Sequence, residues 1–310
     1  MWLRDLGQDL TRRLLDHLGV DPPAPDPNGL RVLHRAFLDR VPYENLQIRA
    51  GIPTGLDPVQ SAERIVTGRG GYCYHLNGAF GSLLSTLGFQ VRLAIGNPEP
   101  EDLASWGRHV LLLVDFPDQG RWLADVGIGD GFRDPLPLRA GTYRQGPFTY
   151  ALVRSDQKQD PEQDPEPDRV PGREPVRGTG STWLPRARWQ WRHDPLGTLH
   201  AFDLDPDGYD ARIVRRTHRF LSTSPDSPFV RKLTVQARRP AGALLLRGCV
   251  LTTVDADGKR SHDLDSDTDW WTVLAEEFGI RADGFASDVR ERLWQVTRSG
   301  HEAWVAAGRP

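Results

Sequence analysis

The stretch Arg69-Gly70-Gly71-Tyr72-Cys73-Tyr74-His75-Leu76-Asn77 is the most informative part of this 310-residue chain. Two glycines precede a cysteine, and an apolar stripe from Leu76 to Leu87 predicts a helix that begins near Cys73. The unpaired amide groups and the dipole at such a helix start favour a thiolate, and Arg69 adds a nearby positive charge. Because a thiolate is a better nucleophile than a thiol, Cys73 is a candidate catalytic residue.

The second cysteine of the sequence has a different setting. Cys249 lies in an apolar run from Leu244 to Thr253, which is typical of a buried structural residue. Two cysteines exclude both a disulfide framework and a multi-cysteine zinc site. We therefore expect no metal and a reduced, cytoplasmic protein.

Two further residues supply the partners that a catalytic cysteine needs. His109 opens an apolar strand and Asp125 closes the predicted strand Trp122 to Val126, so adjacent strands would bring both side chains to one sheet end. A thiolate needs a base to return protons, and the base needs an acid that orients it. Each residue also has a plain structural explanation, as a strand-edge histidine or a turn residue before Gly127. Their combination with Cys73 favours a Cys–His–Asp triad.

The apolar pattern changes along the chain. Residues 1–90 carry three amphipathic stripes at helical spacing, which predict a small helical bundle. Short apolar runs bounded by Gly, Pro and Asp predict strands from residue 91 onward, and helices return over 270–278 and 288–296. Helices, then strands, then strands with helices indicate an α+β protein, because a doubly wound sheet would alternate throughout.

One segment does not fit a packed core. Residues 156–177 contain seven acidic residues, four basic residues and five prolines, and only two valines are otherwise apolar. Such a composition cannot bury enough surface to order itself. We expect a disordered, acidic and proline-rich insert at about 155–180, between strands.

The overall composition excludes several classes of protein. With 38% hydrophobic residues the chain can bury a sizeable core. A net charge of −3 without a basic stripe, zinc spacing or phosphate-binding glycine loop argues against nucleic-acid binding. The sequence has no run of 18 apolar residues and no secretory signal, so we expect no membrane association.

Five stretches together resemble the arylamine N-acetyltransferases. Val41–Leu46 is similar to the family's Val-Pro-Phe-Glu-Asn-Leu segment, and Arg69–Asn77 is similar to its Arg-Gly-Gly-x-Cys-x-Glu-x-Asn nucleophile motif. Arg108–Val110 and Asp125–Gly129 resemble the histidine strand and the Asp-Val-Gly-Phe-Gly turn, and Ser222–Phe229 resembles the start of the third domain. The resemblance covers nearly the whole chain except the acidic insert.

The resemblance implies a three-domain fold and a ping-pong reaction. The domains would be a helical bundle at 1–90, a β-barrel at 91–222 and an α/β lid at 223–310. Cys73 would take an acetyl group from acetyl-CoA as a thioester, His109 would move the proton and Asp125 would hold His109. An arylamine or arylhydrazine would then attack the thioester, while backbone N–H groups near Cys73 stabilise the oxyanion. No permanently bound cofactor is implied.

The resemblance also implies binding and supporting residues. Gly127 and Gly129 would let the backbone approach CoA closely, although a plain strand-end turn explains them equally well. Tyr43 and Phe202 match positions that line the acceptor pocket, but both are also ordinary core aromatics. The residues expected to support the site are Arg69, Gly71, His75 and Asn77.

The sequence departs from the family at His75, where the motif has a glutamate. A histidine still forms hydrogen bonds but changes charge and shape, so it is either a tolerated substitution or a second titrating group near Cys73. Our hypothesis is that His75 is not the catalytic base.

Three other functions remain open from the sequence. A related amide synthase would take a polyketide chain from an acyl carrier protein and form a macrolactam in natural-product biosynthesis. A papain-like thiol hydrolase would use the same residues with water as acceptor. A binding module with a decayed triad is disfavoured because Cys73, His109 and Asp125 are all present.

Overall fold

The computed structural model describes residues 3–98, 105–155 and 188–309. Its N-terminal part is helical, and local sequence signals set the helix ends. Gly19 ends the first helix in the left-handed conformation, with φ of 71°. The carboxylate of Asp26 accepts the Gly29 amide, and that of Asp57 accepts the Val59 amide, so each starts a helix. The helices of this part are α1 (Gly7–Leu18), α2 (Pro27–Arg40), α3 (Leu46–Arg49), α4 (Pro58–Val66) and α5 (Cys73–Thr86).

The central part is an eight-stranded antiparallel sheet that forms a nearly closed barrel. The strands follow the order β5-β4-β3-β2-β9-β8-β7-β6. The two edge strands approach each other, since the Tyr143 hydroxyl of β6 donates to the Pro137 carbonyl of β5 at 3.3 Å. The strands are β2 (Gln90–Asn97), β3 (His109–Phe116), β4 (Gly120–Ala124), β5 (Leu136–Pro137), β6 (Gly141–Gln145), β7 (Phe148–Arg154), β8 (Trp189–Arg192) and β9 (Ala201–Asp205).

The C-terminal part combines a five-stranded sheet with helices. A two-residue strand from the N-terminal part, β1 (Tyr43–Glu44), forms one edge of this sheet by pairing with β10. The order is β1-β10-β11-β12-β13, and all pairs are antiparallel. The remaining elements are α6 (Ala211–Thr223), α7 (Pro228–Arg231), β10 (Thr234–Arg239), β11 (Gly242–Arg247), β12 (Val250–Asp255), β13 (Gly258–Asp263), α8 (Asp267–Phe278) and α9 (Ser287–Ala306).

Packing joins these three parts rather than separating them. Leu76, Phe80 and Leu83 of α5 share a buried cluster with Leu112 and Val114 of β3, so α5 lies against the barrel wall. A second cluster fills the barrel and includes residues of β11 and β12 from the C-terminal sheet. The α5 helix is therefore held on its apolar face by the strand that carries His109.

The α+β class is confirmed, with helices at both ends and a barrel between them. The predicted domain boundaries at 90 and 222 fall near the start of β2 and the end of α6, and the division into domains stays a prediction. The predicted insert at 155–180 lies outside the described residues except for Ser155. No helix in the described part of the chain is long and apolar enough to cross a membrane.

Candidate active site

Cys73 is the first residue of α5, as the sequence predicts. The residue before it, Tyr72, contributes no side-chain hydrogen bond to the first turn, and the first turn contains no acidic residue. The positive end of the helix dipole is therefore not neutralised by a carboxylate of that turn. Cys73 is 3% exposed, and its sulfur lies 3.7 Å from the Arg108 carbonyl oxygen. The thiol therefore lies at a helix N-terminus beside the start of strand β3.

His109 and Asp125 meet beside that sulfur. The Nε2 atom of His109 lies 2.5 Å from Oδ2 of Asp125, and both side chains are buried. Asp125 follows β4, which spans Gly120–Ala124, so the predicted strand Trp122 to Val126 begins and ends two residues too late. With Nε2 bound to Asp125, the other ring nitrogen is the one available to Cys73. The three residues have the geometry of a cysteine–histidine–aspartate triad.

Charge and burial oppose each other at His109. Burial lowers its pKa, but the charge and hydrogen bond of Asp125, together with a hydrogen bond and charge from Cys73, raise the pKa to about 10. His109 is therefore an imidazolium at neutral pH. A cation between the sulfur and the carboxylate stabilises a thiolate, and it has a proton to give to a leaving group.

Asn77 holds the acidic member of the arrangement. One turn along α5 from Cys73, its amide nitrogen donates to Oδ1 of Asp125 at 2.8 Å and to the Val110 carbonyl at 2.7 Å. Its amide oxygen accepts the Val126 N–H at 3.0 Å. The Gly127 N–H also donates to Oδ1 of Asp125, at 2.9 Å. The predicted supporting role of Asn77 thus has a direct geometric basis, because one side chain joins α5, β3 and the turn after β4.

The two glycines before Tyr72 serve close packing. A Cβ atom on Gly70 would lie 2.0 Å from the Pro42 carbonyl oxygen, and one on Gly71 would lie 2.7 Å from Cβ of His75. Gly71 also accepts the Glu44 N–H at 2.9 Å. The sequence suggested glycine for a sharp turn, whereas the structure shows that side chains here have no room.

Gly127 and Gly129 have the same property. A Cβ on Gly127 would lie 2.7 Å from Cα of Cys73, and one on Gly129 would lie 2.2 Å from Cβ of Gln236. The space that these glycines leave is filled by the protein's own residues. Their predicted contact with CoA is a separate matter, and it stays a prediction.

Tyr43 and Phe202 both lie near the triad. The Phe202 ring is fully buried and packs on the His109 ring at 5.2 Å between centroids, so it forms a wall behind the histidine. Tyr43 packs against the cluster that contains Cys73. Burial raises the pKa of Tyr43 well above the ordinary value, and the charge of Cys73 acts in the same direction. Of the two predicted acceptor-binding residues, Tyr43 is partly exposed and Phe202 is not.

Arg69 does not act as the sequence suggested. Its guanidinium lies 3.3 Å above the Phe285 ring and 3.5 Å from the Gly284 carbonyl oxygen, and it faces the buried charge of Glu44. These contacts bind the guanidinium to the C-terminal part of the chain. Arg69 supports the glycine turn by joining it to the residues that precede α9.

His75 lies on the side of α5 away from the triad. Its ring is 2% exposed and contacts Tyr72 edge-on at 4.8 Å and His218 at 6.0 Å. Neither ring nitrogen has a hydrogen-bond partner of normal geometry among the described residues. Burial lowers the pKa of His75 well below its usual value, with Arg64 and His218 acting in the same direction and the Gly55 backbone against them. His75 is therefore neutral and a weak base.

One residue of the site was missed from the sequence. The His34 ring, fully buried on α2, accepts the Asp125 N–H at Nε2 with a distance of 3.2 Å. Its signal was present, since a histidine interrupts the apolar stripe of Leu30, Leu33 and Phe37. Among residues 3–98, 105–155 and 188–309, no group of three or more His, Cys, Asp or Glu side chains is arranged to hold a metal ion.

Comparison with known proteins places the chain in a family. A family model described as N-acetyltransferase matches residues 27–286. The arylamine N-acetyltransferase of Mycolicibacterium smegmatis is 29% identical over 305 residues, which cover 94% of this chain and 98% of that protein. The chain belongs to the arylamine N-acetyltransferase family. Members of this family are acyltransferase enzymes.

Two further arylamine N-acetyltransferases are similar to this chain, one by sequence and one by structure. The Salmonella typhimurium protein, named arylamine N-acetyltransferase / N-hydroxyarylamine O-acetyltransferase, is 33% identical over 199 residues, which span 63% of this chain and 59% of that protein. The structure of Mycobacterium marinum arylamine N-acetyltransferase in complex with CoA has a TM-score of 0.72 and 26% identity, and the match covers 93% of this chain and 98% of that chain. The family's fold therefore extends over nearly the whole molecule.

Proposed function

We propose that this protein transfers an acetyl group from acetyl-CoA to an arylamine or arylhydrazine through a thioester on Cys73. The observation that carries the proposal is the arrangement of Cys73, His109 and Asp125 at the start of α5. Acyl transfer through a thioester needs a thiolate nucleophile, a residue that carries the proton and a carboxylate that orients it, and these three residues supply those roles.

In the first half-reaction, the Cys73 thiolate attacks the carbonyl carbon of the acetyl thioester. The C–O double bond opens to a tetrahedral oxyanion, which backbone N–H groups at the start of α5 stabilise. The oxyanion collapses, the bond to the CoA sulfur breaks, and the His109 imidazolium protonates that leaving sulfur. The products are free CoA, acetyl-Cys73 and a neutral His109 that Asp125 still orients.

In the second half-reaction, the amine nitrogen of the acceptor attacks the acetyl-Cys73 carbonyl. Neutral His109 takes the proton from that nitrogen, and the Cys73 sulfur leaves as a thiolate. The amide departs with the acetyl group, and the imidazolium–thiolate pair is restored. No water, metal or redox step is needed for this balance of atoms and charge.

The binding residues are proposed from their position around Cys73. Tyr43 would contact the aromatic acceptor, because it is partly exposed and packs against the cluster that contains Cys73, while Phe202 would shape the pocket from behind His109. Gly127 and Gly129 would line the path of the pantetheine chain. A relative solved in complex with CoA, the M. marinum enzyme, supports acetyl-CoA as co-substrate. A free thiol at Cys73 fits the reducing cytoplasm.

An exposed basic face near the site bears on the donor. The arginines of α6 point to solvent, while Val214 and Leu221 of the same helix pack in the cluster that contains Cys73. Phosphate groups of CoA would be attracted to this face, as would an acidic acyl carrier protein. An amide synthase, the alternative function, would take its acyl group from an acyl carrier protein and would therefore need the contact between that protein and the arginines. The arginines are Arg212, Arg215, Arg216 and Arg219.

Two-substrate kinetics test the proposal. CoA release is measured while acetyl-CoA and an aniline or phenylhydrazine are varied together, and parallel double-reciprocal lines are expected for a covalent intermediate. Intersecting lines would contradict the ping-pong reaction. Turnover of an acyl carrier protein thioester in preference to acetyl-CoA would instead support the amide synthase, and CoA release that does not depend on amine would support a hydrolase.

A further inference from the structure

The turn that carries Asp125 is held at both ends by one side chain. The Asp125 N–H, at the start of the turn, donates to Nε2 of His34 at 3.2 Å. The Arg133 carbonyl, near its end, accepts from Nδ1 of the same ring at 2.9 Å. Between these two points lie Gly127 and Gly129. His34 therefore fixes the two ends of the segment that faces Cys73.

These contacts define the protonation state of His34. A backbone N–H can only donate and a carbonyl can only accept, so Nε2 must be unprotonated and Nδ1 must carry the proton. Burial lowers the pKa of His34 to about 4, although the Arg133 carbonyl and the charge of Asp125 oppose the shift. The ring stacks on Phe132 at 5.7 Å with an angle of 9°, which fixes its plane.

The rest of α2 anchors the far end of the same turn. Arg133 forms a double hydrogen bond with Asp39, at 2.6 and 2.5 Å. Asp134 accepts two hydrogen bonds from Arg35, at 2.5 and 2.8 Å. One helix face thus holds the segment by its backbone and by its charges, and His34 is the point of contact nearest to Asp125.

We propose that His34 is a positioning residue for acyl transfer, which acts through the main chain of Asp125. The inference rests on the proposed function, because it matters only if Asp125 orients His109 during catalysis. The carboxylate of Asp125 already accepts from Asn77 and Gly127 on one oxygen and contacts His109 with the other. The Asp125 N–H donates to His34, and this hydrogen bond is the one contact among those four that fixes the backbone nitrogen of Asp125. Without it, the carboxylate shifts relative to His109, and the imidazolium is held less firmly.

Three variants distinguish the effect of the His34 hydrogen bonds from the effect of filling the same buried space. His34→Phe keeps a buried ring on Phe132 and removes both hydrogen bonds. His34→Gln retains an acceptor and a donor at the side-chain end. His301→Phe is the matched control, because His301 is also a buried histidine but lies on α9 and faces Asp263. Folding of each variant is checked by thermal unfolding before the functional measurements.

The readouts are the single-turnover rate of Cys73 acetylation and the pH midpoint of its alkylation by iodoacetamide. His34→Phe is expected to slow acetylation about 10- to 100-fold and to move the midpoint upward by about one pH unit, because a misplaced acid weakens the imidazolium–thiolate pair. His34→Gln is expected to recover most of the rate. Besides His109 and Asp125, the titratable groups on which the charge of Cys73 acts are Tyr43, Tyr72 and Tyr74. Burial raises the pKa values of these three tyrosines well above the usual range, so they stay neutral over the pH range of the alkylation measurement.

A measurement on the unmodified protein covers the case in which His34→Phe does not fold. The ¹⁵N shifts of His34 in the labelled protein are expected to show a protonated Nδ1 and an unprotonated Nε2. The opposite tautomer would overturn the proposal, as would an unchanged midpoint and rate in folded His34→Phe. Failure of the wild-type protein to form acetyl-Cys73 would overturn the proposed function instead, so the two failures are distinguishable.

Discussion

The two sides of the α5 N-terminus differ in how their polar atoms are satisfied. On the triad side, which comprises His34, Asn77, His109 and Asp125, hydrogen bonds join three elements of the fold, α2, α5 and β3, to the turn after β4. On the tyrosine–histidine side, which comprises Tyr72, Tyr74, His75 and His218, ring contacts dominate. There the His218 Nδ1 accepts from the Tyr72 hydroxyl and its Nε2 donates to the Thr54 carbonyl, while His75 has no such contacts among the described residues.

The difference shows in the histidines that flank Cys73. A carboxylate and a sulfur raise the pKa of His109 to about 10, whereas burial without an acidic partner lowers the pKa of His75 and of His218. A base with a raised pKa holds the proton that the leaving sulfur needs, and a neutral buried ring does not. These three histidines are therefore expected to contribute very unequally to catalysis.

The largest expected effect comes from removing the His109 side chain, with removal of the His75 side chain as the comparison. His109→Ala should slow single-turnover acetylation of Cys73 about 10³-fold, because general acid–base catalysis contributes on that order. His75→Ala should change the rate by less than about fivefold, as expected for a packing residue. Rapid-quench mass spectrometry measures both rates. Full acetylation in His109→Ala together with its loss in His75→Ala would show that the two sides have been assigned the wrong way round.

The next effect concerns the hydrogen bonds of Asn77. Asn77→Ala should reduce kcat/KM about 10- to 100-fold, since it frees the Asp125 carboxylate and leaves the Val110 carbonyl and the Val126 N–H without their partner. Asn77→Asp is the matched variant, because it keeps an acceptor for Val126 but repels Asp125. Steady-state kinetics at saturating acceptor provide the measurement. Wild-type kinetics in both variants would mean that the triad does not depend on this contact.

The contact between His109 and Asp125 should also make the free energy of unfolding depend on pH. Because the pKa of His109 is raised, the folded state holds an extra proton between pH 6.5 and about 10, and the stabilisation by Asp125 is lost as pH rises through that window. The difference in free energy of unfolding between wild type and Asp125→Asn should therefore fall by about 1 kcal/mol per pH unit from pH 7 to pH 9. Urea titrations at three pH values measure it. The buried histidines with lowered pKa values act only below pH 6.5, so parallel curves above pH 7 would rule out a raised pKa at His109.

The smallest effect is expected on the tyrosine–histidine side. His75→Phe removes two buried ring nitrogens that have no hydrogen-bond partner of normal geometry in the described part of the chain, and it keeps the ring contact with Tyr72. The variant should be about 1 kcal/mol more stable, with activity within about threefold of wild type. Thermal unfolding measures the stability. A destabilised, inactive His75→Phe would reveal a polar role for this ring.

Local signals explain which parts of the fold could be predicted. The glycines that end α1 and α8 in the left-handed conformation, and the helix start at Cys73, follow from the residues themselves. The helix α6 was missed because arginines outnumber its buried residues, and β13 was missed because its sequence Gly258–Asp263 has no apolar residue. The buried residues of α6 do recur at helical spacing, but the four arginines among them favoured the interpretation of a solvated basic run. The strand β13 is specified by its pairing with β12 and has no apolar alternation of its own.

The site divides in the same way. The triad positions were predicted because each has a sequence context: a helix start, a strand start and a strand end. The contact of His34 with the backbone of Asp125 joins residues 91 positions apart and has no local pattern. The contact of Arg69 with the Phe285 ring has no local pattern for a similar reason, since Phe285 lies in the C-terminal part.

The most direct test of the account is the intact mass of the protein after mixing with acetyl-CoA, with Cys73→Ala and Cys249→Ala measured beside it. Cys249 is fully buried, and burial raises its pKa to about 11, so it serves as the inert thiol for comparison. The account predicts one acetyl group on wild type and on Cys249→Ala, and none on Cys73→Ala. An adduct that persists in Cys73→Ala, or no adduct from any acyl thioester on folded wild-type protein, would contradict it.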